Sequence, residues 1–253
     1  MLYLIAKLIK KSKTLYDLVK VIKYLNKREK KFTVGFLKTS YEFLFRLAAF
    51  RLNTGDKDAL KIAFKVFKVM EQKGTLKNMP HIQPFIFFNA VSLSLNMGDI
   101  DYAVKLISNY SCKLISVPHE DILSVSRAMM VYEKGHLKSA KNLLSHHKSK
   151  NVTLHLYSKS TLIKVMYDSN ELQKISSLSD SLKHFLQRKE EISESYRVSI
   201  FKFLSFVAYL SLAKRKNGRG LRHLHDKLNL EGNFFQKKWI SDKLKELERK
   251  CLK

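Results

Sequence analysis

The stretch Gly98-Asp-Ile-Asp-Tyr-Ala103, with Ile107 four residues further on, has the same spacing as Gly135-His-Leu-Lys-Ser-Ala140, with Leu144 four residues further on. In each copy, one apolar run with helical spacing precedes the glycine and another follows it. Glycine readily adopts the left-handed conformation that ends a helix, and a small alanine lets two helices approach closely. The recurrence therefore predicts a repeated helix-turn-helix unit in an all-α protein.

Two fainter copies extend the pattern in both directions. Gly55-Asp-Lys-Asp-Ala-Leu60 has leucine at the alanine place, and Asn170-Glu-Leu-Gln-Lys-Ile175 has asparagine at the glycine place. The turn positions 55, 98, 135 and 170 are thus 43, 37 and 35 residues apart. We expect Asp56 and Asp99 to cap the helices that follow their turns. Each copy has an apolar face that it cannot bury alone, so the copies are predicted to stack.

The clearest copy resembles the consensus of the tetratricopeptide family, in which a small residue and an aromatic residue precede Gly-x4-Ala-x3-apolar. The residues that carry this resemblance are Ala128, Tyr132, Gly135, Ala140 and Leu144. The copy at Gly98 matches in part. The tryptophan and proline of the family are missing, and the spacing exceeds its usual 34 residues. The resemblance implies a right-handed α-solenoid of divergent tetratricopeptide-like units, whose concave surface receives a peptide or a partner helix.

A second resemblance covers more of the chain. Residues from about 41 to 248 are similar to uncharacterised tetratricopeptide-like proteins of Bacteroidetes bacteria. The similarity is carried by residues 181–188, 192–197, 201–204 and 238–244. It implies a bacterial source and the same fold. It implies no activity, so no functional residue follows from it.

The helical pattern runs through the whole sequence. Only 8 glycines and 3 prolines interrupt 253 residues. We predict a single repeat array over residues 1–253, with irregular helices over 1–34, repeat-like pairs over 35–190 and C-terminal helices over 191–253. The lysine-apolar alternation in 57–72 could suggest a strand, but its length and its place after a turn favour a helix. The uncharged run 203–213 is too short to span a bilayer and predicts a core helix.

The chain is strongly cationic, with a formal net charge of +26 at pH 7. Lysine supplies 38 of the 48 cationic side chains and arginine only 10. Such a surface attracts phosphates, so non-specific binding of nucleic acid is expected at low salt. Codon bias of an AT-rich genome also enriches lysine, and arginine is the better residue for bidentate recognition. The lysines are spread along the chain, which favours the genomic explanation over a dedicated nucleic-acid site.

The densest basic cluster lies at 214–222 and contains two glycines. One interpretation is a flexible loop that binds a polyanion through Lys214, Arg215, Lys216, Arg219 and Arg222. The other, which we favour, is a solvated linker between the last two helices. The aromatic residues at 234, 235 and 239 are assigned to the terminal helix, where their spacing indicates core packing.

No catalytic, cofactor or metal site is predicted. The sequence contains no phosphate-binding glycine loop, serine elbow or Cys/His nucleophile pattern. The pairs His146-His147 and His223-x-His225 would point apart on a helix and do not supply a four-ligand metal site. The two cysteines, Cys112 and Cys251, are far apart in sequence, which indicates a reducing, cytoplasmic location. We therefore expect a non-enzymatic protein.

Three functional hypotheses follow. The first is a protein-interaction scaffold, and the second is a lysine-driven RNA- or ribosome-associated repeat protein. The third is a peripheral membrane protein held by the apolar residues 2–6 and the lysines after them. The same N-terminal run lacks a capping signal, so it is also predicted to pack on a partner, a second copy of the chain or a membrane. We rank the scaffold first.

Overall fold

The computed structural model describes residues 15–53, 57–72, 76–77, 81–114, 119–145, 147 and 149–251. Within these residues the regular structure is helical, with one isolated bridge between Ile82 and Leu114 and no β-strand. The all-α prediction is confirmed. The helices are α1 (Leu15–Lys27), α2 (Val34–Asn53), α3 (Lys57–Gln72), α4 (Pro84–Met97), α5 (Ile100–Tyr110), α6 (His119–Glu133), α7 (Leu137–Ser145), α8 (Val152–Asp168), α9 (Leu172–Gln187), α10 (Glu194–Arg215), α11 (Leu221–Leu230) and α12 (Lys237–Cys251).

These helices form two compact units, α1 to α6 in the first and α7 to α12 in the second. In the first unit, α4 packs against α3, α5 and α6, and α1 packs against α3. In the second unit, α8 packs against α7 and α9, and α10 packs against α9, α11 and α12. One continuous array over 1–253 stays a prediction, as does its handedness. The N-terminal run, with its predicted self-association, lies outside the described residues.

The helix α3 shows how side-chain spacing overrides a local alternation. Its buried residues recur at intervals of three and four and are Ala59, Ala63, Phe64, Val66, Phe67 and Met70. This spacing places them on one face of a helix, whereas a strand would need a period of two. The intervening lysines at 61 and 65 lie on the exposed face. The helical interpretation of this segment is confirmed.

Three of the four predicted turns share one hydrogen-bonding pattern. Gly98, Gly135 and Asn170 all have positive φ angles, of 80°, 82° and 61°. At each, the turn residue donates its N–H to the carbonyl three residues earlier, at 2.8–3.2 Å. The next residue donates to the carbonyl five residues before itself, at 2.8–2.9 Å. This pair of bonds is the Schellman motif, which satisfies the last carbonyls of a helix. The fourth turn, at Gly55, lies outside the described residues, as does Asp56.

The residues after the first of these turns also behave as the sequence predicts. The Asp99 carboxylate accepts a hydrogen bond from the backbone N–H of Tyr102 at 3.2 Å and so caps α5. It also forms an ion pair with Lys68 at 3.3 Å. Ala103 and Ala140 are fully buried. Small residues at these two places therefore allow close packing of α5 and α7 in their respective units. Ala128 and Tyr132 of α6 are buried as well.

Replacing Gly98 with alanine is expected to lower the free energy of unfolding by about 1–2 kcal/mol, the usual cost of a left-handed L-residue. No atom lies within 4 Å of the added Cβ, so the cost comes from the backbone alone. Gly35, inside α2, is the matched control because its added Cβ also meets nothing within 4 Å. Alanine there should be neutral or stabilising. Urea denaturation measures both, and equal destabilisation of the two variants would contradict the assignment of this turn.

A polar cluster joins α3 to α5 in the first unit. The Glu71 carboxylate accepts hydrogen bonds from the hydroxyl groups of Tyr102 and Tyr110, the latter at 3.3 Å. Burial and the nearby Glu71 charge raise the pKa of Tyr110 to about 12. The ammonium of Lys68 lies 4.6 Å above the Phe64 ring and 4.8 Å above the Tyr102 ring. All these groups have partners within the unit, so the cluster is structural.

The core of the second unit is built around aromatic rings. Trp239 meets Tyr167 and Phe203 edge to face, at centroid distances of 5.4 and 6.1 Å. Phe203 also meets Phe235 edge to face at 5.6 Å, and Phe234 is 4% exposed. The predicted core role of these aromatics is confirmed. Their predicted place on the terminal helix is wrong for 234 and 235, because α12 begins only at Lys237.

The predicted basic linker over 214–222 is also wrong in its extent. Lys214 and Arg215 belong to the last turn of α10, and α11 begins at Leu221. Only residues 216–220 form the turn, where Asn217, Gly218 and Gly220 have positive φ angles. The additional helix α11 forms because Leu221, Leu224 and Leu228 recur at helical spacing and are buried. The residues between these leucines are polar or charged, so the apolar stripe is not apparent from the charge pattern of the sequence.

An ion-pair network connects the end of α8 to α12. The Lys243 ammonium lies 2.6 Å from the Asp168 carboxylate and 3.0 Å from that of Glu246. Glu246 is also paired with Lys250 at 2.7 Å. The side chains of Lys243 and Asp168 are 19% and 17% exposed. Most of the solvent is therefore excluded from this pair, and its attraction is stronger than that of a surface ion pair.

This ion-pair network makes the stability of the second unit depend on pH. Hydrogen bonds from Lys250 and then Lys243 lower the pKa of Glu246 from 4.5 to about 2. Because the folded-state pKa is the lower one, the carboxylate stabilises the fold above pH about 4.5, and this contribution is lost as the pH falls towards 2. We expect Glu246→Gln to destabilise the second unit at pH 7, and its difference from wild type to shrink below pH 4.5 in urea titrations. The same pH dependence in the control Glu248→Gln would contradict this.

Candidate functional site

A groove in the second unit lies between α9 and α10 and has a volume of about 410 Å³. It is lined by residues 172–183 of α9 and 204–215 of α10. The lining positions recur at intervals of three and four, so they lie on one face of each helix. Because residues 188–193 form only a short connection, the two helices run antiparallel. The groove is about 16 Å long at 1.5 Å per residue.

The two ends of the groove differ in character. In an antiparallel pair, Leu172 at the start of α9 shares one end with Arg215 at the end of α10. Lys183 and Leu204 share the other end. Lys183 forms an ion pair with Asp180 at 3.1 Å, whereas no ion pair of Arg215 occurs within the described part of the chain. The lining therefore has two cations against one carboxylate, and the unneutralised charge lies at the Arg215 end.

Four serines line the groove: Ser176, Ser179, Ser205 and Ser211. Ser179 and Ser211 are 6% and 7% exposed. Their hydroxyl groups make no hydrogen bond to any protein group within the described residues. A helical serine commonly bonds a carbonyl of its own helix, so these two free hydroxyls are unusual. Both hydroxyl oxygens are themselves buried, so they lie beneath the surface of the groove, whereas Ser176 and Ser205 are exposed in it.

The rim of the groove on α10 is apolar and carries no charge before Arg215. Tyr209 and Leu212 are 43% and 49% exposed, and Ala208 lies beside them. Lys227 fixes the Tyr209 side chain by a hydrogen bond to its hydroxyl at 3.0 Å, with the ammonium 4.3 Å above the ring. Apolar side chains held in this way at the edge of a groove are typical of a surface that binds a partner.

The same helix is long and apolar enough to cross a membrane by length and composition, which by itself is weak evidence. Its inward face is packed against α9, α11 and α12 and includes the fully buried Phe203 and Val207. This packing is that of a core helix, as the sequence predicts. In its C-terminal half, the exposed residues 205, 208, 209, 212 and 215 all line the groove.

The predicted polyanion-contact residues are placed in three different surroundings. The Lys214 ammonium donates to the Tyr167 carbonyl oxygen at 2.8 Å and lies 4.5 Å from the centre of its ring, and burial lowers the pKa of Lys214. It is therefore a packing contact. Arg215 lines the groove. The other three, Lys216, Arg219 and Arg222, are exposed in the turn and at the start of α11. Binding of a polyanion by this cluster stays a prediction.

Sequence reasoning missed the groove itself. The available signal is the helical spacing of four serines on two consecutive helices, together with an uncharged outer face on α10. Neither pattern is specific, because serines are common on solvent-facing helix surfaces. Within the described residues, no three His, Cys, Asp or Glu side chains are grouped as metal ligands.

No protein-family model, curated protein or solved structure matches this chain.

Proposed function

We propose that the chain is a divergent tetratricopeptide-like protein, similar to those of Bacteroidetes bacteria, and that it acts as a non-catalytic interaction scaffold in the cytoplasm. Three helix ends with the same Schellman motif, spaced 37 and 35 residues apart, support a repeat of this kind. The two cysteines, both exposed and unpaired, are consistent with a reducing compartment. The function rests on the second unit, where the groove between α9 and α10 would hold a segment of a partner protein.

The carrying observation is the combination of an apolar rim with a polar floor. Tyr209 and Leu212 supply apolar area that is only half covered by the unit itself. Ser176 and Ser205, which are exposed and line the groove, supply hydroxyl groups that a partner segment can reach. Protein-binding sites combine a central apolar anchor with a few oriented polar groups in this way. A groove of about 16 Å accommodates roughly three turns of helix or five residues of extended peptide.

Affinity capture of partners from a lysate of the source organism, at low and at high salt, tests the proposal. The three bait proteins are wild type, Leu212→Asp and the control Leu230→Asp. We expect wild type to retain a protein partner at both salt concentrations and Leu212→Asp to lose it. The matched control is Leu230→Asp, because Leu230 is 89% exposed and lies outside the groove. A photo-crosslinking residue at position 208 should then label the same partner. Retention of every captured protein by Leu212→Asp would show that the groove is not the binding site.

The alternative proposal is an RNA- or ribosome-associated protein. It is favoured by the exposed cations Lys216, Arg219 and Arg222, which are close in sequence and next to Arg215. Binding of this kind is expected to be sequence-independent and to weaken steeply with salt. Capture of RNA alone, lost at high salt and insensitive to Leu212→Asp, would favour it. Membrane attachment through residues 2–6 remains the third proposal.

A further inference from the structure

We infer that the partner segment carries an acidic side chain, and that its carboxylate binds at the Arg215 end of the groove, where it pairs with the Arg215 guanidinium. This inference rests on the proposed function, because it names the chemistry of the segment that the groove holds. It concerns one end of the groove only, and the apolar rim contributes affinity whether or not the segment is acidic.

Arg215 is an exposed side chain in the last turn of α10, and it lines the groove. Leu212, on the apolar rim, precedes it by three residues, so the two side chains lie on one face of α10 within one turn. A segment that packs on Leu212 therefore has the Arg215 guanidinium within reach.

The charges that line the groove also favour an acidic segment. Asp180 neutralises Lys183 at 3.1 Å, which leaves Arg215 as the lining cation with no ion pair in the described part of the chain. The arginine guanidinium suits a carboxylate, with which it forms paired hydrogen bonds. The chain carries a net charge of +26, so a basic segment would be repelled on approach. Charge complementarity therefore favours an acidic segment.

The same details argue against RNA as the occupant of this groove. A nucleic acid needs a row of cations along its backbone and free aromatic faces for its bases. Here the lining has one unpaired cation, and the Lys227 ammonium lies 4.3 Å from the centre of the Tyr209 ring and covers one of its faces. The exposed hydroxyl groups of Ser176 and Ser205, together with the apolar rim, suit a peptide better.

The test is selection of a random 12-residue peptide library on the full-length protein, followed by affinity measurements. We expect the enriched peptides to share an Asp or Glu near an apolar residue, and to lose binding to Leu212→Asp. Their affinity should fall about tenfold or more for Arg215→Gln, because a charge-assisted hydrogen bond is lost. The matched control, Arg222→Gln, removes an equal charge outside the groove and should change the affinity less than threefold. Circular dichroism confirms folding of each variant.

A double-mutant cycle separates this inference from the proposed function. A peptide whose acid is replaced by its amide should bind wild type weakly and should bind Arg215→Gln with no further loss. Peptides that depend on Leu212 but show no acidic preference, or that bind Arg215→Gln as well as wild type, would overturn the inference and leave the proposed function standing. Absence of any Leu212-dependent peptide would overturn both. Displacement of bound peptide by single-stranded poly(U) in an Arg215-dependent manner would assign the groove to RNA instead.

Discussion

Replacing Phe203 with alanine is expected to lower the free energy of unfolding of the second unit by about 3–5 kcal/mol, the range for large aromatic-to-alanine changes in cores. Phe203 is fully buried in α10 and meets Phe235 and Trp239 edge to face. The change removes the ring from the middle of the aromatic core and leaves a cavity that rigid neighbouring helices cannot close. Both the lost transfer free energy and the cavity contribute to the cost.

The chain contains a single tryptophan, Trp239, whose fluorescence reports directly on this core. Urea denaturation followed by that signal measures the effect. Val198→Ala is the matched control, because Val198 lies on the same helix and is 42% exposed. Its effect should stay within about 0.5 kcal/mol, as is usual for surface positions. If the two variants unfold at the same urea concentration, the orientation of α10 described above is incorrect.

Replacing Lys243 with alanine is expected to cost about 3 kcal/mol, the low end of the range for removing one partner of a buried ion pair. The low end applies because the Lys243 and Asp168 side chains are still 19% and 17% exposed. Most of this loss of stability arises because Asp168 keeps its charge in a partly buried position without a cation beside it. The lost attraction between Lys243 and Asp168 contributes less. Glu246 loses one of its two cations in the same change.

Lys245→Ala is the control for this prediction, since Lys245 is exposed two residues further along α12. It should change the free energy of unfolding by less than about 0.5 kcal/mol. A double-mutant cycle with Asp168→Asn should show a coupling of about 0.5–3 kcal/mol, as is usual for groups in one ion-pair network. Additive effects of the two changes would show that the pair is not formed in solution.

Local chemistry made the helix ends predictable. Gly98, Gly135 and Asn170 have the left-handed angles that their residue types favour, and Asp99 caps the helix after its turn. Each of these features depends on a few neighbouring residues, so it can be inferred before any packing is known. The C-terminal region was harder. The many cations in this region made the buried leucine stripe of α11 difficult to recognise in the sequence. Gln236 has a positive φ angle, so α12 begins only after it.

The sequence by itself determined that this protein is helical, where three of its turns lie and which alanines are buried, because helix propensity, capping and periodicity act over four or five residues. Only the tertiary structure decided which polar side chains are free to bind. It pairs Lys183 with Asp180, places the Lys214 ammonium against Tyr167 and leaves Arg215 exposed at one end of the groove. Lys214 and Arg215 are adjacent on one helix, yet only Arg215 is accessible to a partner. The direction of each side chain relative to a second helix depends on packing between distant segments, which the sequence does not reveal.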